Sequence, residues 1–202
     1  MLTKSEIEKQ IAAKLITFDP PPAKINTNSV NLRLGPTLKM YQKHWVEHDR
    51  LEQYAKQIGW PKHSASFLCE PLDFAKKELT VEWEIPKGGQ ILWPNLLYLG
   101  STLEYITSGP FILEENTRSG VARMGLSTNR TAGFGDSFFE GTLTYEITVV
   151  QPVIFYAGMQ IAQIAFFRPD GEVTPYTGRY SGKRGPKESE TWREVAELLK
   201  SP

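Results

Sequence analysis

Between residues 79 and 167 the chain runs only a few residues of alternating or apolar character before glycine or proline interrupts it. No other feature limits the fold as much. Leu79, Val81, Trp83 and Ile85 alternate with Thr80, Glu82 and Glu84, which predicts a half-buried strand ending at Pro86-Lys87-Gly88-Gly89. Residues 91–99 form a more continuous apolar run, the pattern of a core strand, and residues 102–106, 109–114 and 148–156 continue the series, with Pro152 marking an edge or bulge. In residues 159–167, Ile161, Gln163, Ala165 and Phe167 fall on one face, which keeps Gln163 off the solvent side. Many short strands with this punctuation predict a mainly β protein, a barrel or jelly roll rather than a parallel sheet.

Helices are expected only around this β region. Thr3-Lys4-Ser5-Glu6 has the capping-box pattern, and Ile7, Ile11 and Leu15 follow at four-residue spacing, predicting an amphipathic helix over about residues 4–14. Asp19-Pro20-Pro21-Pro22 ends regular structure there. Residues 29–34 alternate as a strand, with Val30, Leu32 and Leu34 on one face and Asn31 and Arg33 on the other. Within residues 41–80, Val46, Leu51, Tyr54 and Ile58 predict a short helix in a surface insertion, and His44 and His48 are spaced to share a face as solvated residues. Residues 1–187 are read as one domain carrying that insertion. Residues 188–202 are read as a tail with a helix packing through Trp192, Val195, Ala196 and Leu199.

Composition removes several function classes. Lys plus Arg and Asp plus Glu each number 23, so the chain lacks the basic excess expected of a nucleic-acid binder. The apolar runs are too short and interrupted to span a membrane, and residues 1–15 lack the apolar core of a signal peptide. One cysteine, Cys69, rules out an intrachain disulfide and fits a cytoplasmic protein. With that cysteine and three histidines (His44, His48, His63), none in an H-x-E or P-C-x-x-C pattern, a zinc-type nucleobase deaminase site is excluded.

Polar chemistry is concentrated in residues 118–146, RSGVARMGLSTNRTAGFGDSFFEGTLTYE. Arg118, Ser119 and Arg123 open it, and Asp136 follows Gly135 in a turn. Glu146 closes it on a strand whose larger residues, Leu143, Tyr145 and Ile147, face the other way. An acid, two guanidiniums and a serine converging on one pocket suit a phosphorylated or otherwise polar substrate.

RSGVARMGL, TAGFGDSFFEG and YE at this spacing resemble the dCTP deaminase branch of the trimeric dUTPase superfamily. NSVNLRLG at 28–35, STLEYI at 101–106, GMQIAQIAFF at 158–167 and PYTGRYSGKRGP at 175–186 resemble further motifs of that family in its own order. The resemblance implies a dUTPase-like distorted β-barrel or jelly roll and a homotrimer with sites at subunit interfaces. It also implies hydrolytic deamination of dCTP without zinc. In that scheme Glu146 is the general base, Arg123 holds it or the water, and Ser119 orients the water or a phosphate oxygen. Arg118 stabilises the loop or the phosphates, main-chain groups near Thr131 and Ala132 read the base, and Asp136 accepts the sugar 3′-OH. Phe139 closes the space a 2′-OH would need, and Gln163 lies near the phosphates. Tyr176, Arg179 and Lys183 bind them from a mobile clamp, and Mg²⁺ rides on the triphosphate rather than on a protein cage.

Two positions depart from the family pattern: Asn31 stands where an aspartate is usual, and Gly120 replaces a second serine. TAGFGD resembles the bifunctional, dUMP-forming members, so the product is either dUTP or dUMP with pyrophosphate. A dUTPase without deaminase activity, or a catalytically silent nucleotide-binding trimer, are the alternative readings at this point.

Overall fold

The computed structural model describes residues 1–42 and 72–200. The helix expected within 46–58, the three histidines and Cys69 lie outside the described residues. By its contacts the chain divides into two compact units, Met1–Lys39 with Trp83–Lys187, and Met40–Glu82 with Glu188–Pro202.

The larger unit is built of short antiparallel strands. β1 (Thr17–Asp19), β8 (Tyr105–Thr107) and β12 (Glu140–Gly141) form one sheet in the order β1-β8-β12. A second follows the order β11-β9-β15-β3-β2, from β11 (Phe134–Gly135), β9 (Ile112–Thr117), β15 (Gln160–Phe167), β3 (Val30–Arg33) and β2 (Lys24–Ile25). A third joins β10 (Leu126–Ser127), β13 (Thr144–Val149), β7 (Tyr98–Ser101) and, through Lys39, β4 (Thr37–Tyr41); β4 and β5 (Thr80–Glu84) each run across the division, at Lys39/Met40 and Glu82/Trp83. β6 (Gln90–Leu92) pairs with β14 (Val153–Phe155). The mainly β expectation therefore holds. The core gathers Val30, Leu32, Ile106, Leu113, Tyr145, Ile147, Ile164 and Phe166, all without exposed surface. Truncating one such aliphatic side chain to alanine costs about 2–5 kcal/mol.

Several local expectations are corrected. α1 (Lys4–Ala12) begins after Thr3, but Thr3 makes no side-chain cap; its hydroxyl meets Ser5 Oγ at 3.2 Å instead. Glu6 is drawn off to accept from Gln10 Nε2 (2.6 Å) and Arg168 Nη2 (2.5 Å), so the capping box does not close. The helix stops before Lys14, whose φ is +57°, and Leu15 is left exposed rather than in the apolar stripe. Leu79 precedes β5 and is also exposed. The run at 91–99 breaks at Pro94-Asn95, with Asn95 at φ +64°, into the end of β6 and the start of β7; Ile91 and Trp93 are exposed. A register shift between Gln160 and Ala162 changes the phase of β15. Ala162, Ile164 and Phe166 are therefore buried, and Gln163 lies on the half-covered face with Ala165 and Phe167.

In the smaller unit, the described residues include α3 (Trp192–Leu198). Trp192, Val195 and Ala196 are its more covered residues, while Leu199 just beyond it is exposed. Ser189 N–H donates to Tyr41 Oη at 3.1 Å just before it.

Candidate active site

Strand alternation places Glu146. On β13, Tyr145, Ile147 and Val149 point into the core while Thr144, Glu146 and Thr148 stand half-exposed on the other face, as the sequence pattern predicts. One oxygen of the Glu146 carboxylate accepts the Arg130 N–H (3.1 Å), and Glu146's own N–H donates to Thr128 O (2.8 Å). The strand acid thus grips the segment 128–131 immediately ahead of Ala132.

A second carboxyl group meets the same segment from behind, and the sequence reading missed it. Glu115 on β9 is 5% exposed. Its Oε1 accepts from Thr128 Oγ1 at 2.7 Å, its Oε2 from Asn129 Nδ2 at 2.8 Å, and its main-chain oxygen from the same Nδ2 at 2.9 Å. Asn129 Oδ1 in turn accepts the N–H of Thr131 at 3.3 Å. Burial pushes the Glu115 carboxyl above the usual range; the Asn129 and Thr128 bonds pull it down, and the nearby Glu146 charge pushes it up again. Gly133 is required beside it, since a Cβ there would lie 2.2 Å from the Glu115 carbonyl oxygen. The available signal was the out-of-pattern acid in Leu113-Glu114-Glu115, where alternation assigns Glu115 to the buried face.

The opening of the 118–146 stretch forms α2 (Ser119–Ala122), with Arg118 at its N-cap and Arg123 at its C-cap. Arg118 Nη1 donates to Gln160 O at 2.7 Å, which fixes this guanidinium to the start of β15. Ser119 and Arg123 are exposed. Within one chain, among the described residues, no hydrogen bond or ion pair joins Arg123 or Ser119 to Glu146.

Asp136 is exposed in the turn after β11, where it borders an open depression of about 460 Å³ with Phe134, Ser137, Pro175 and Tyr176. Phe139 is 8% exposed and lies 6.3 Å from the Tyr176 ring, at a tilt of 37°. Tyr176 N–H donates to Ser137 O at 3.1 Å. The tail beyond is stitched to its own chain rather than free. Gly182 N–H donates to Glu140 O, Thr142 N–H to Lys183 O, and Lys187 N–H to Thr144 Oγ1. Arg184 stacks 4.3 Å from the Tyr105 ring centre and pairs with Asp19 at 3.2 Å. Lys183 and Arg179 are exposed, and Thr131 and Ala132 stand exposed beside the Glu146 end.

Neutral amides gather around the start of β3, in the 28–35 motif and beside it. Asn31 Oδ1 accepts from Asn26 Nδ2 (2.6 Å), Asn31 Nδ2 donates to Gln160 Oε1 (2.8 Å), and Ser29 Oγ donates to Gln163 Oε1 (3.3 Å). Such a set offers no carboxylate to a cation. Among the described residues no group of three or more His, Cys, Asp or Glu side chains stands together as metal ligands. No helix among them is long and apolar enough to cross a membrane.

Short antiparallel strands carrying a half-exposed acid and a basic, glycine-flanked tail make this a protein of mainly β class. The dCTP deaminase-like family pattern matches residues 1–169, and this chain belongs to that family. It is 33% identical over 187 residues to a protein of Leptospira biflexa named "dCTP deaminase, dUMP-forming", covering 92% of both chains. A protein of the same name from Clostridium acetobutylicum is 32% identical over 187 residues, 92% of this chain and 93% of that one. The crystal structure of 2′-deoxycytidine 5′-triphosphate deaminase from Agrobacterium tumefaciens superimposes with a TM-score of 0.53 at 14% identity. That match covers 82% of this chain and spans only 46% of the solved one.

Proposed function

We propose that this chain deaminates dCTP by adding water at C4 and carries the product on to dUMP and pyrophosphate, as a zinc-independent cytoplasmic homotrimer. Family membership and relatives named for this reaction at 92% coverage support the substrate. The observation that carries the mechanism is the half-exposed carboxylate of Glu146, held against the Arg130 N–H beside Thr131 and Ala132. Glu146 takes a proton from water as the water oxygen bonds to C4 and delivers that proton to N3; it then carries the proton of the new C4 hydroxyl to the amino group, so that ammonia leaves and a C4 carbonyl remains. A dUTPase lacking deamination has no use for a base on this strand.

Arg123 and Ser119, unpaired with Glu146 within one chain, serve the Glu146 of a neighbouring subunit in this reading. Arg118, anchored on Gln160 O, steadies that loop against the phosphates. Main-chain groups of Thr131 and Ala132 read the cytosine edge, Asp136 takes the 3′-OH, and Phe139 excludes a 2′-OH. Asp136 also directs the second water at the α-phosphorus, releasing pyrophosphate. Tyr176, Arg179, Lys183 and Gln163 hold the triphosphate. Mg²⁺ would be held through phosphate oxygens and water, because the amide cluster at Asn31 presents no charged ligand; when bound it neutralises triphosphate charge.

Incubation with dCTP and Mg²⁺ is expected to release ammonia and, by chromatography, dUMP and pyrophosphate. Absence of ammonia sinks the reading; ammonia with dUTP as end product removes only the second step. Mixing and reassembling Glu146→Gln and Arg123→Ala trimers is expected to restore part of the activity both lack, because some interfaces then join two intact halves. No recovery on mixing overturns the shared site.

A further inference from the structure

We infer that Glu115 is a positioning residue of this same site, acting through Asn129 to hold the Thr131 main chain in the conformation that reads the base. The inference rests on the reading of Thr131 and Ala132 given above and deepens it.

Thr131 supplies the first observation. It is β-branched, exposed, and held at φ +77°, in the left-handed region such residues rarely enter. The hydrogen bond that accompanies this backbone is the one from Thr131 N–H to Asn129 Oδ1.

The direction of every bond behind it supplies the second. Thr128 N–H donates to Thr117 Oγ1 (2.8 Å), leaving that hydroxyl's proton for Thr128 Oγ1 at 2.7 Å; Thr128's own proton goes to Glu115 Oε1. Asn129 gives its amino group to Glu115 Oε2 and so must turn its oxygen toward Thr131. A carboxyl group accepting at both oxygens, together with the Glu115 main-chain oxygen that takes the same Asn129 amino group, fixes this polarity. Glu115 therefore sets which way Asn129 faces, and Asn129 sets whether Thr131 has an acceptor.

The third observation is what surrounds Glu115. Among the described residues no cation pairs with it, whereas Glu104, another enclosed glutamate, is closed by Arg33. An acid kept in the interior without a counter-charge, bonded only to the segment that Glu146 also grips, is placed for that segment rather than for the core.

The polarity yields a test by exchange. With its oxygen kept on Thr128 Oγ1, the amide of Glu115→Gln turns an amino group toward the Asn129 amino group. Flipping Asn129 relieves that clash only by facing a donor against Thr131 N–H. With the amide oxygen on Asn129 instead, the amino group meets Thr128 Oγ1 and the Thr128–Thr117 hydroxyl pair must reverse. Adding Asn129→Asp restores the side-chain relay at the original total charge, losing only the bond from the Asn129 amino group to the main-chain oxygen of residue 115. The introduced amide at position 115 then donates to one oxygen of the introduced carboxylate at position 129, and Thr131 N–H donates to the other. Glu115→Gln is expected to raise KM for dCTP roughly tenfold to a hundredfold. Inhibition by inorganic tripolyphosphate, which lacks a base, should stay at the wild-type level. Asn129→Asp alone, which sets two carboxylates face to face, is expected to be worse, and the double variant is expected to recover part of the loss.

An unchanged KM in Glu115→Gln overturns the inference. So does a folded double variant no better than either single one, or a KM rise matched by an equal loss of tripolyphosphate binding. Should Glu115→Gln fail to fold, Asn129→Ala at its half-buried position must reproduce the selective KM rise, and wild-type kinetics there also overturn the inference. Amide exchange at Thr131, expected to quicken in Asn129→Ala, separates this from the substrate reading. A wild-type protein silent on dCTP defeats the substrate, and unaltered Thr131 exchange defeats the relay.

Discussion

Glu104 and Glu115 are both buried acids of the larger unit, yet one closes a structural joint and the other backs the candidate site. Glu104 has no exposed surface. Its Oε1 accepts from Arg33 Nε at 2.7 Å and its Oε2 from Arg33 N–H at 3.0 Å, while Arg33 Nη2 donates onward to Pro21 O. That is a closed ion pair locking the residues before β8 to β3. Glu115 meets only hydroxyl and amide groups, all leading to the 128–131 segment. The difference teaches that burial alone does not tell a structural acid from a functional one; the partners' charge and where the hydrogen bonds end do.

Substituting Glu146, the half-exposed acid that meets the same segment as Glu115, tests the functional side most severely. Glu146→Gln keeps the shape and an oxygen for Arg130 N–H but removes the base, so deamination is expected to fall by about 10²–10⁴-fold. Thermal unfolding should hardly move, because the side chain is only half-covered. A variant with near-normal ammonia release would transfer the base role elsewhere. On the structural side, Arg33→Met leaves the Glu104 carboxylate buried without its cation and is expected to cost about 3–5 kcal/mol in urea unfolding. A loss below about 1 kcal/mol would show that Glu104 does not depend on its partner.

The two acids also differ in how well the sequence announced them. Glu146 was legible because Tyr145 and Ile147 alternate around it, and alternation survives folding. The β class was legible from Gly/Pro punctuation for the same local reason. Glu115 was hidden because its partners Thr128 and Asn129 approach through the packing of the segment before β11 against β9, a non-local event that no spacing records. The phase of β15 failed at Gln163 through a one-residue register shift, and Leu15 was misplaced because the helix ended at Ala12. The capping box failed because Glu6 found Arg168 far away in sequence.

Acid titration sharpens the contrast. Burial first, and the Glu146 charge besides, raise the Glu115 carboxyl above its ordinary range, against the pull of Asn129 and Thr128. A folded-state value above the unfolded one means that folding favours the protonated form. The stability linked to Glu115 is then fully present below the ordinary glutamate value and is lost as pH rises through the raised folded value. The stability of the wild type relative to Glu115→Gln should therefore fall over that window as pH increases, read from urea midpoints. The opposite slope would mean that the Thr128 and Asn129 bonds outweigh burial.

The smallest expected effect lies between the two acids. Tyr145 Oη is fully buried with no hydrogen-bond partner among the described residues, and burial, followed by the charges of Glu115 and Glu104, raises its phenol well above the ordinary tyrosine range. An enclosed hydroxyl without a partner costs about 1–3 kcal/mol of desolvation, and removing it while keeping the ring leaves the packing in place. Tyr145→Phe is thus expected to stabilise the protein by about 1 kcal/mol, or roughly 2–4 °C in Tm for a chain of this size. Deamination should be unchanged, since the ring faces away from Glu146. A destabilised Tyr145→Phe would instead reveal that this hydroxyl has a partner, such as a buried water, joining the Glu104 joint to the Glu115 cluster, and the two regions would then be one network.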